Sequence, residues 1–474
     1  MKCTARWLTP MAIIAVFLAF AAARAETVTA TIAVHVSLSG PSELGGKALL
    51  DAVRFAVEEA NTAGSSPAFE LAVFDDRSDK NRARERARDV KTGDALAVVG
   101  PATSVLALAA CPVYADTGLA VIDATFHAAD LALADDRPEG GGIFRDFVEA
   151  IANYLGRVLG ETHATVIYKD NGYGRPLVAR FKSTAERLVI AGMYRPFDTA
   201  AQRDEVAKLT ASDPDQPPVV LGMTYEDAAP VLLTLRRQGY RGLVFGTATM
   251  ARASFVDLFA DQPEERRAPG FFTEGVYAAS PMILDSANAA TLAFAARYRA
   301  RFGQEASWET TQGYDAARLA MAAVRATYGS AEGGRADLVT RRKLVHAYLA
   351  SLDSPAKAAI GLTGPLWFTP DRIRPQAVRI GRFHGGLFES APLQIVPVVA
   401  TPTLPRSLRR RYSNWRPGAT HDCNALCTPA CSSMRLPVWS WHDRVSTPIF
   451  IFGSVTPAMP GRTARIRPTS TFRT

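Results

Sequence analysis

Between residues 28 and 60 the hydrophobic period changes once, and that change constrains the fold more than any other feature of the chain. Val28, Ala30, Ile32, Val34 and Val36 alternate, with apolar Ala33 between them, the pattern of a strand buried in a parallel sheet. Ser37-Leu38-Ser39-Gly40-Pro41 ends the run with hydroxyls, glycine and proline. After Gly45 and Gly46, the apolar residues Leu49, Val53, Ala56 and Ala60 recur at helical spacing. Strand, polar turn and helix make the first half of a βαβ unit. Ligands of open α/β sheets bind outside the carboxyl ends of the strands, so the turn from Ser37 to Gly45 is the first candidate site.

The unit then repeats. Strands are expected over 70–74, 95–99 and 119–122, with helices over 79–91 and from Ser104 through Cys111 and Tyr114. Arg82, Arg84, Arg86 and Arg88 read as the solvated face of their helix, and Cys111 as a core residue. A second series has strands over 165–168, 219–221 and 243–245, with helices over 177–190 and 226–237, and a strand over 273–277 crosses back. Helices over 288–302, 311–328 and 341–352 follow, and short strands over 366–368 and 377–383 close the body. This order gives the fold class α/β: two doubly wound parallel-sheet lobes, each assembled from discontinuous parts of the chain.

A chain of 474 residues has room for both lobes, and 48% hydrophobic with 21% charged residues is a globular composition, not a disordered one. Residues 1–25 read as a secretory leader: Lys2 and Arg6, an apolar run from Met11 to Ala23, then Ala23-Arg24-Ala25 as a small-x-small cleavage site. Cys3 precedes the apolar run, which argues against a lipid anchor at the cleavage site. The expected location is periplasmic. The net charge of +8 belongs to the tail, where eleven arginines against Asp422 and Asp443 leave residues 406–474 at +9 and residues 1–405 near −1. That balance speaks against a nucleic-acid partner. Cys423, Cys427 and Cys431 match no common zinc spacing, and no sustained period follows Pro405. Residues 401–474 are therefore expected to be a basic tail that is disordered or out of frame.

Several short motifs, in this order, resemble one family. They are Ser39-Gly40-Pro41, Val98-Val99-Gly100-Pro101 with Ser104, Pro112-Val113-Tyr114 with Gly118, and residues 168–174. Further on come Glu274-Gly275-Val276, Tyr298 with Phe302-Gly303, Gly313-Tyr314-Asp315-Ala316, and Gly361-Leu362-Thr363-Gly364 with Phe368. Over roughly residues 28–398 the chain resembles the type I periplasmic solute-binding proteins of the leucine/isoleucine/valine-binding group, which serve ABC transporters. The resemblance implies two lobes joined by a multi-strand hinge and closing on a ligand. It places lobe 1 at 26–143 and 278–355, and lobe 2 at 144–277 and 356–400.

The same resemblance implies site residues. Ser104 would contact a ligand carboxylate, helped by Thr125, Phe126 and His127 after the fourth strand. Tyr173 would cover the ligand from the second lobe, Leu44 would wall its side-chain pocket, and Thr224 or Tyr225 would line the second-lobe side. Read without the family, Ser104 is simply an N-cap for its helix, and Tyr173 packs at a lobe edge. His127 stands where a carboxylate-binding threonine is usual, and Ala248 where an acid usually takes the ligand ammonium. Asp123 and Glu226 are the acids left open for that role.

Catalytic signatures are missing from the sequence: no Gly-x-Ser-x-Gly elbow, no phosphate loop, no Gly-x-Gly-x-x-Gly after the first strand. His35, His127 and His163 share no metal-like spacing with carboxylates. The expectation is a non-catalytic binding protein without cofactor or metal, whose partners are a small-molecule ligand and an ABC permease in the inner membrane. The alternative is the ligand-sensing ectodomain of a membrane receptor or ligand-gated channel, which uses the same fold.

Overall fold

The computed structural model describes residues 28–122, 142–370, 374–395 and 451–453, with the backbone alone at 104, 116, 142–146 and 451–453. The leader at 1–25 and the three tail cysteines lie outside these residues.

The first lobe starts as the period change requires. Strand β1 (Thr29–Val36) leads into helix α1 (Glu43–Thr62), followed by β2 (Ala68–Asp75), α2 (Lys80–Thr92), β3 (Ala97–Val99), α3 (Ser104–Tyr114) and β4 (Ala120–Ile122). These strands form a wholly parallel sheet in the order β2-β1-β3-β4. Alternate residues of β1 feed two cores: Ala30, Ile32, Val34 and Val36 join α1, while Ala33 joins Ala83, Ala87 and Val90 of α2 and Ala107, Cys111 and Tyr114 of α3. Both faces are covered, as expected of a parallel sheet. Arg82, Arg84 and Arg88 point outward on α2, which Asp79 caps through bonds from the N–H groups of Asn81 and Arg82, each 2.9 Å.

The second lobe runs α4 (Gly142–Asn153), β5 (His163–Lys169), α5 (Gly174–Arg187), β6 (Ala191–Phe197), α6 (Ala200–Ala211), β7 (Val219–Gly222), α7 (Tyr225–Arg237), β8 (Val244–Gly246), a short α8 (Pro263–Arg267) and β9 (Val276–Ser280). The chain then returns to the first core with α9 (Ala289–Phe302), α10 (Trp308–Gly329) and α11 (Leu338–Ser351). Phe55 of α1 packs against Phe294 and Tyr298 of α9 and Tyr314 of α10, with ring centroids 6.1–6.4 Å apart. The hairpin β10 (Ala359–Gly361) and β11 (Gly364–Leu366) stays with that core through Leu362 and Phe368, beyond the boundary expected at residue 355. Asp315 holds it there by accepting from the Leu362 N–H at 2.8 Å.

Strands β12 (Arg379–His384) and β13 (Leu387–Ser390) complete the second sheet, in the order β13-β12-β9-β8-β7-β5-β6. Its five strands from β9 to β6 are parallel, but β12 is antiparallel to β9 and β13 to β12. The expected purely parallel sheet thus carries an antiparallel hairpin at one edge. The reading of the sequence also passed over β6 and α6. As an edge strand, β6 keeps most residues partly exposed and tolerates Pro196, so it lacks a clean apolar pattern.

The body ends at Ala391. A separate unit begins at Pro392, in which β14 (Leu393–Ile395) pairs antiparallel with β15 (Ile451–Gly453). The tail expected to be without structure therefore contributes one strand.

Candidate functional site

Each lobe brings helix N-termini close to the carboxyl ends of its strands by the same device. A methyl group at Gly46 would lie 1.9 Å from the Ser37 carbonyl oxygen, and one at Gly174 would lie 2.0 Å from that of Lys169. Only glycine lets α1 and α5 begin that close to the strands that precede them.

At the first-lobe edge, the turn after β1 is tied to the end of β2. Ser37 Oγ donates to Asp76 Oδ1 at 2.6 Å, the Leu38 N–H donates to Asp75 Oδ1 at 2.9 Å, and Ser78 Oγ donates to the Ser39 carbonyl at 2.9 Å. These bonds hold Arg77 and Ser78 at φ of 53° and 59°, a left-handed region costly for side-chain-bearing residues. Beneath the turn, His35 lies 2.8 Å from the Tyr114 hydroxyl through Nδ1, and 3.4 Å from Asp76 Oδ2 through Nε2. All of Ser37, His35, Asp76 and Tyr114 are buried.

The second-lobe edge is built from the ends of β5, β7 and β8. Asn171 Oδ1 accepts from the N–H groups of Tyr173 (2.9 Å) and Gly174 (3.0 Å), which fixes the turn that opens α5. Tyr173 is buried; burial pushes its phenol up to about 12, against hydrogen bonds with Thr247 and Thr249 that pull it down. Thr247 and Thr249 are themselves 2.9 Å apart through their hydroxyls, and Thr247 Oγ1 donates to the Met223 carbonyl at 3.3 Å. Thr224 occupies the N-cap position of α7, followed by Tyr225 and Glu226.

Three contacts join the two edges. The Tyr225 hydroxyl donates to the Pro41 carbonyl at 2.9 Å. Trp308 Nε1–H donates to the Ala248 carbonyl at 2.7 Å. Arg252 pairs with Glu309, both buried, while its guanidinium carbon sits 4.8 Å from the Tyr225 ring centroid and its Nε–H donates to the Thr249 carbonyl at 3.0 Å. Burial pushes the Glu309 carboxyl up and Arg252 pulls it back; burial also raises Glu226 and the Tyr225 phenol.

The sequence-derived candidates separate accordingly. Tyr173, Thr224 and Tyr225 come together at the second-lobe edge. Leu44 lies in the first turn of α1 and is 36% exposed. Ser104 is the first residue of α3 with Thr103 at the capping position, so the N-cap role read for Ser104 falls one residue earlier. Thr125, Phe126 and His127 lie outside the described residues, as does Asp123. Arg252, Trp308 and Glu309 escaped the sequence reading. A capping box on Ser307 and Thr310 marks the start of α10 but gives no hint that the next two side chains reach the segment after β8. Among the described residues no cluster of three or more His, Cys, Asp or Glu suits a metal, and no helix is long and apolar enough to cross a membrane.

Two α/β bodies whose strand ends face one another define a class of two-lobed ligand-binding protein. A profile of the periplasmic binding protein family matches residues 29–384, and the chain belongs to that family. Its fold is the type I periplasmic binding protein fold. The branched-chain amino acid transporter substrate-binding protein LivJ from Streptococcus pneumoniae, solved with isoleucine, is 20% identical, with a TM-score of 0.63 over 76% of this chain and 98% of that one. The leucine-binding protein LivK from Thermotoga maritima is 18% identical, with a TM-score of 0.64 over 76% and 97%. A solute-binding protein from R. palustris in complex with benzoate is 18% identical, with a TM-score of 0.59 over 76% and 95%. No curated protein matches the chain by sequence.

Proposed function

We propose that this chain is a non-catalytic extracytoplasmic solute-binding protein. It captures a small polar ligand, of amino acid, amide or carboxylate type, and hands it to the permease of an ABC importer in the inner membrane. One observation carries the reading: the carboxyl ends of the second sheet meet the first lobe through Tyr225–Pro41, just after β1, and through Trp308–Ala248 and Arg252–Glu309, at the start of α10. A guest held there meets donors fixed at strand ends and is shielded from water, the arrangement that favours small-ligand binding. Tyr173, Thr224 and Tyr225 supply the second-lobe contacts; Ser104, Thr125, Phe126 and His127 supply those of the first. The isoleucine and benzoate held by two structural neighbours share a carboxylate, which supports the ligand class.

A thermal-shift screen of amino acids, amides, short carboxylates and aromatic acids tests the reading, because a bound ligand raises apparent stability by mass action. At least one of these solutes is expected to raise the melting temperature in a concentration-dependent way. A flat response to all of them contradicts the proposal.

A further inference from the structure

Four side chains form one buried row beneath the turn after β1: Tyr114 of α3, His35 of β1, Asp76 just after β2, and Ser37. Burial pushes the Tyr114 phenol well above its ordinary range, so its hydroxyl keeps a hydrogen to give to His35 Nδ1. The ring hydrogen then belongs on Nε2, where a lone pair would face a carboxylate oxygen. That oxygen, Asp76 Oδ2, lies 3.4 Å from Nε2. Neither atom has a hydrogen-bond partner among the described residues, so each is answered only by the other.

The second oxygen of Asp76 carries the arrangement outward. Oδ1 accepts from Ser37 Oγ at 2.6 Å and from the Ser78 N–H at 2.9 Å. Ser78 clasps the turn on both sides of Gly40-Pro41: its hydroxyl donates to the Ser39 carbonyl at 2.9 Å and accepts from the Ser42 N–H at 3.0 Å. It does so at φ of 59°, which serine adopts only where its surroundings impose it, and the bond to Asp76 is part of that imposition. Pro41 is where the second lobe takes hold, because its carbonyl receives the Tyr225 hydroxyl at 2.9 Å. An unbroken path of polar contacts thus runs from Tyr114, inside the first lobe, to Tyr225 of the second.

We propose that His35 and Asp76 are positioning residues for lobe closure. From inside the first lobe they fix Ser78, Ser78 fixes the Pro41 carbonyl, and that carbonyl sets the grip of Tyr225. The inference rests on the capture reading above for what closure serves, and adds the device within the first lobe that governs it.

Fluorine NMR of the whole protein labelled with fluorotryptophan tests it without any solute. Trp308 donates to the Ala248 carbonyl at 2.7 Å, so its signal, assigned with Trp308→Phe, reports closure through a separate contact. The native protein is expected to be mainly closed. Ser78→Gly removes the clasp, while glycine takes the positive φ without strain. Its melting temperature should match the native value, and its open-to-closed ratio should rise about tenfold. Asp76→Asn should raise the ratio by about the same factor. Tyr114→Phe keeps the ring and its packing, should raise the ratio about threefold, and decides alone if Asp76→Asn does not fold. Adding Tyr225→Phe to Ser78→Gly should raise it no further than the larger single change, because both act on one contact. A native ratio in Tyr114→Phe, or in Asp76→Asn where it folds, means that the buried row only stiffens the first lobe, and overturns the inference. So does a double variant whose effects multiply, or a native protein that stands open. None of these outcomes bears on capture itself, which the thermal-shift screen decides.

Discussion

The two strand-end edges use polar residues in opposite ways. In the first lobe, the polar groups around the turn after β1 turn inward: Ser37 bonds Asp76, Leu38 bonds Asp75, Ser78 bonds Ser39, and His35 meets Tyr114. Each bond spans two segments of the same lobe, and the first three freeze the turn between β1 and α1. In the second lobe, Tyr173 shares Thr247 and Thr249, Tyr225 reaches out to Pro41, and Glu226 keeps an oxygen without a partner. The same fold unit thus braces its turn within the lobe on one side and reaches across to the other lobe on the other, with polar atoms lacking partners at both edges: His35 Nε2 and Asp76 Oδ2 in the first, Glu226 Oε2 in the second. Buried polar networks that are closed add rigidity, and a buried polar group left unpaired is costly.

The largest expected effect tests the junction between these two edges. Glu309→Ala leaves Arg252 buried without its partner and should lower the unfolding free energy by about 3–5 kcal/mol in urea denaturation. Replacing both residues together, Arg252→Met with Glu309→Leu, should cost far less, because no charge is stranded. Similar losses for the single and double variants would show that the pair is not coupled across the edges.

The next test asks whether the contrast between the lobes is real. Gly46→Ala and Gly174→Ala each push a methyl group against a carbonyl oxygen and should each destabilise by about 1–3 kcal/mol. Only Gly174→Ala displaces the turn that carries Tyr173, so it should weaken solute binding more than Gly46→Ala at equal loss of stability. Equal effects on affinity would erase the distinction between the two edges. The smallest effect belongs to Tyr225→Phe. It removes one hydrogen bond to Pro41 and should shift stability by about 0.5–1.5 kcal/mol, with less than about a tenfold change in affinity.

Most of the fold was legible because parallel strands buried on both faces advertise themselves as apolar runs between glycine-bearing turns, as in β1, β3 and β7. Strand β6 was not, since its edge position leaves residues such as Arg195 and Pro196 in a run with no clear alternation. Helix α6 did carry a signal: Thr199 and Gln202 form a capping box, a spacing visible in the sequence. At the candidate site, Tyr173 and Thr224 or Tyr225 are named through the family resemblance alone, and the structure sets them at the starts of α5 and α7. Arg252 and Glu309 stand 57 positions apart and on different elements, and nothing local distinguishes Glu309 from an ordinary acid in the first turn of a helix. Pairing of that kind is set by tertiary packing, which periodicity does not encode.

A crystal structure of the protein grown with a solute that raises its melting temperature tests the account most directly. The solute should lie between the carboxyl ends of the two sheets, in contact with Tyr173 and with Thr224 or Tyr225. A solute bound elsewhere would contradict it.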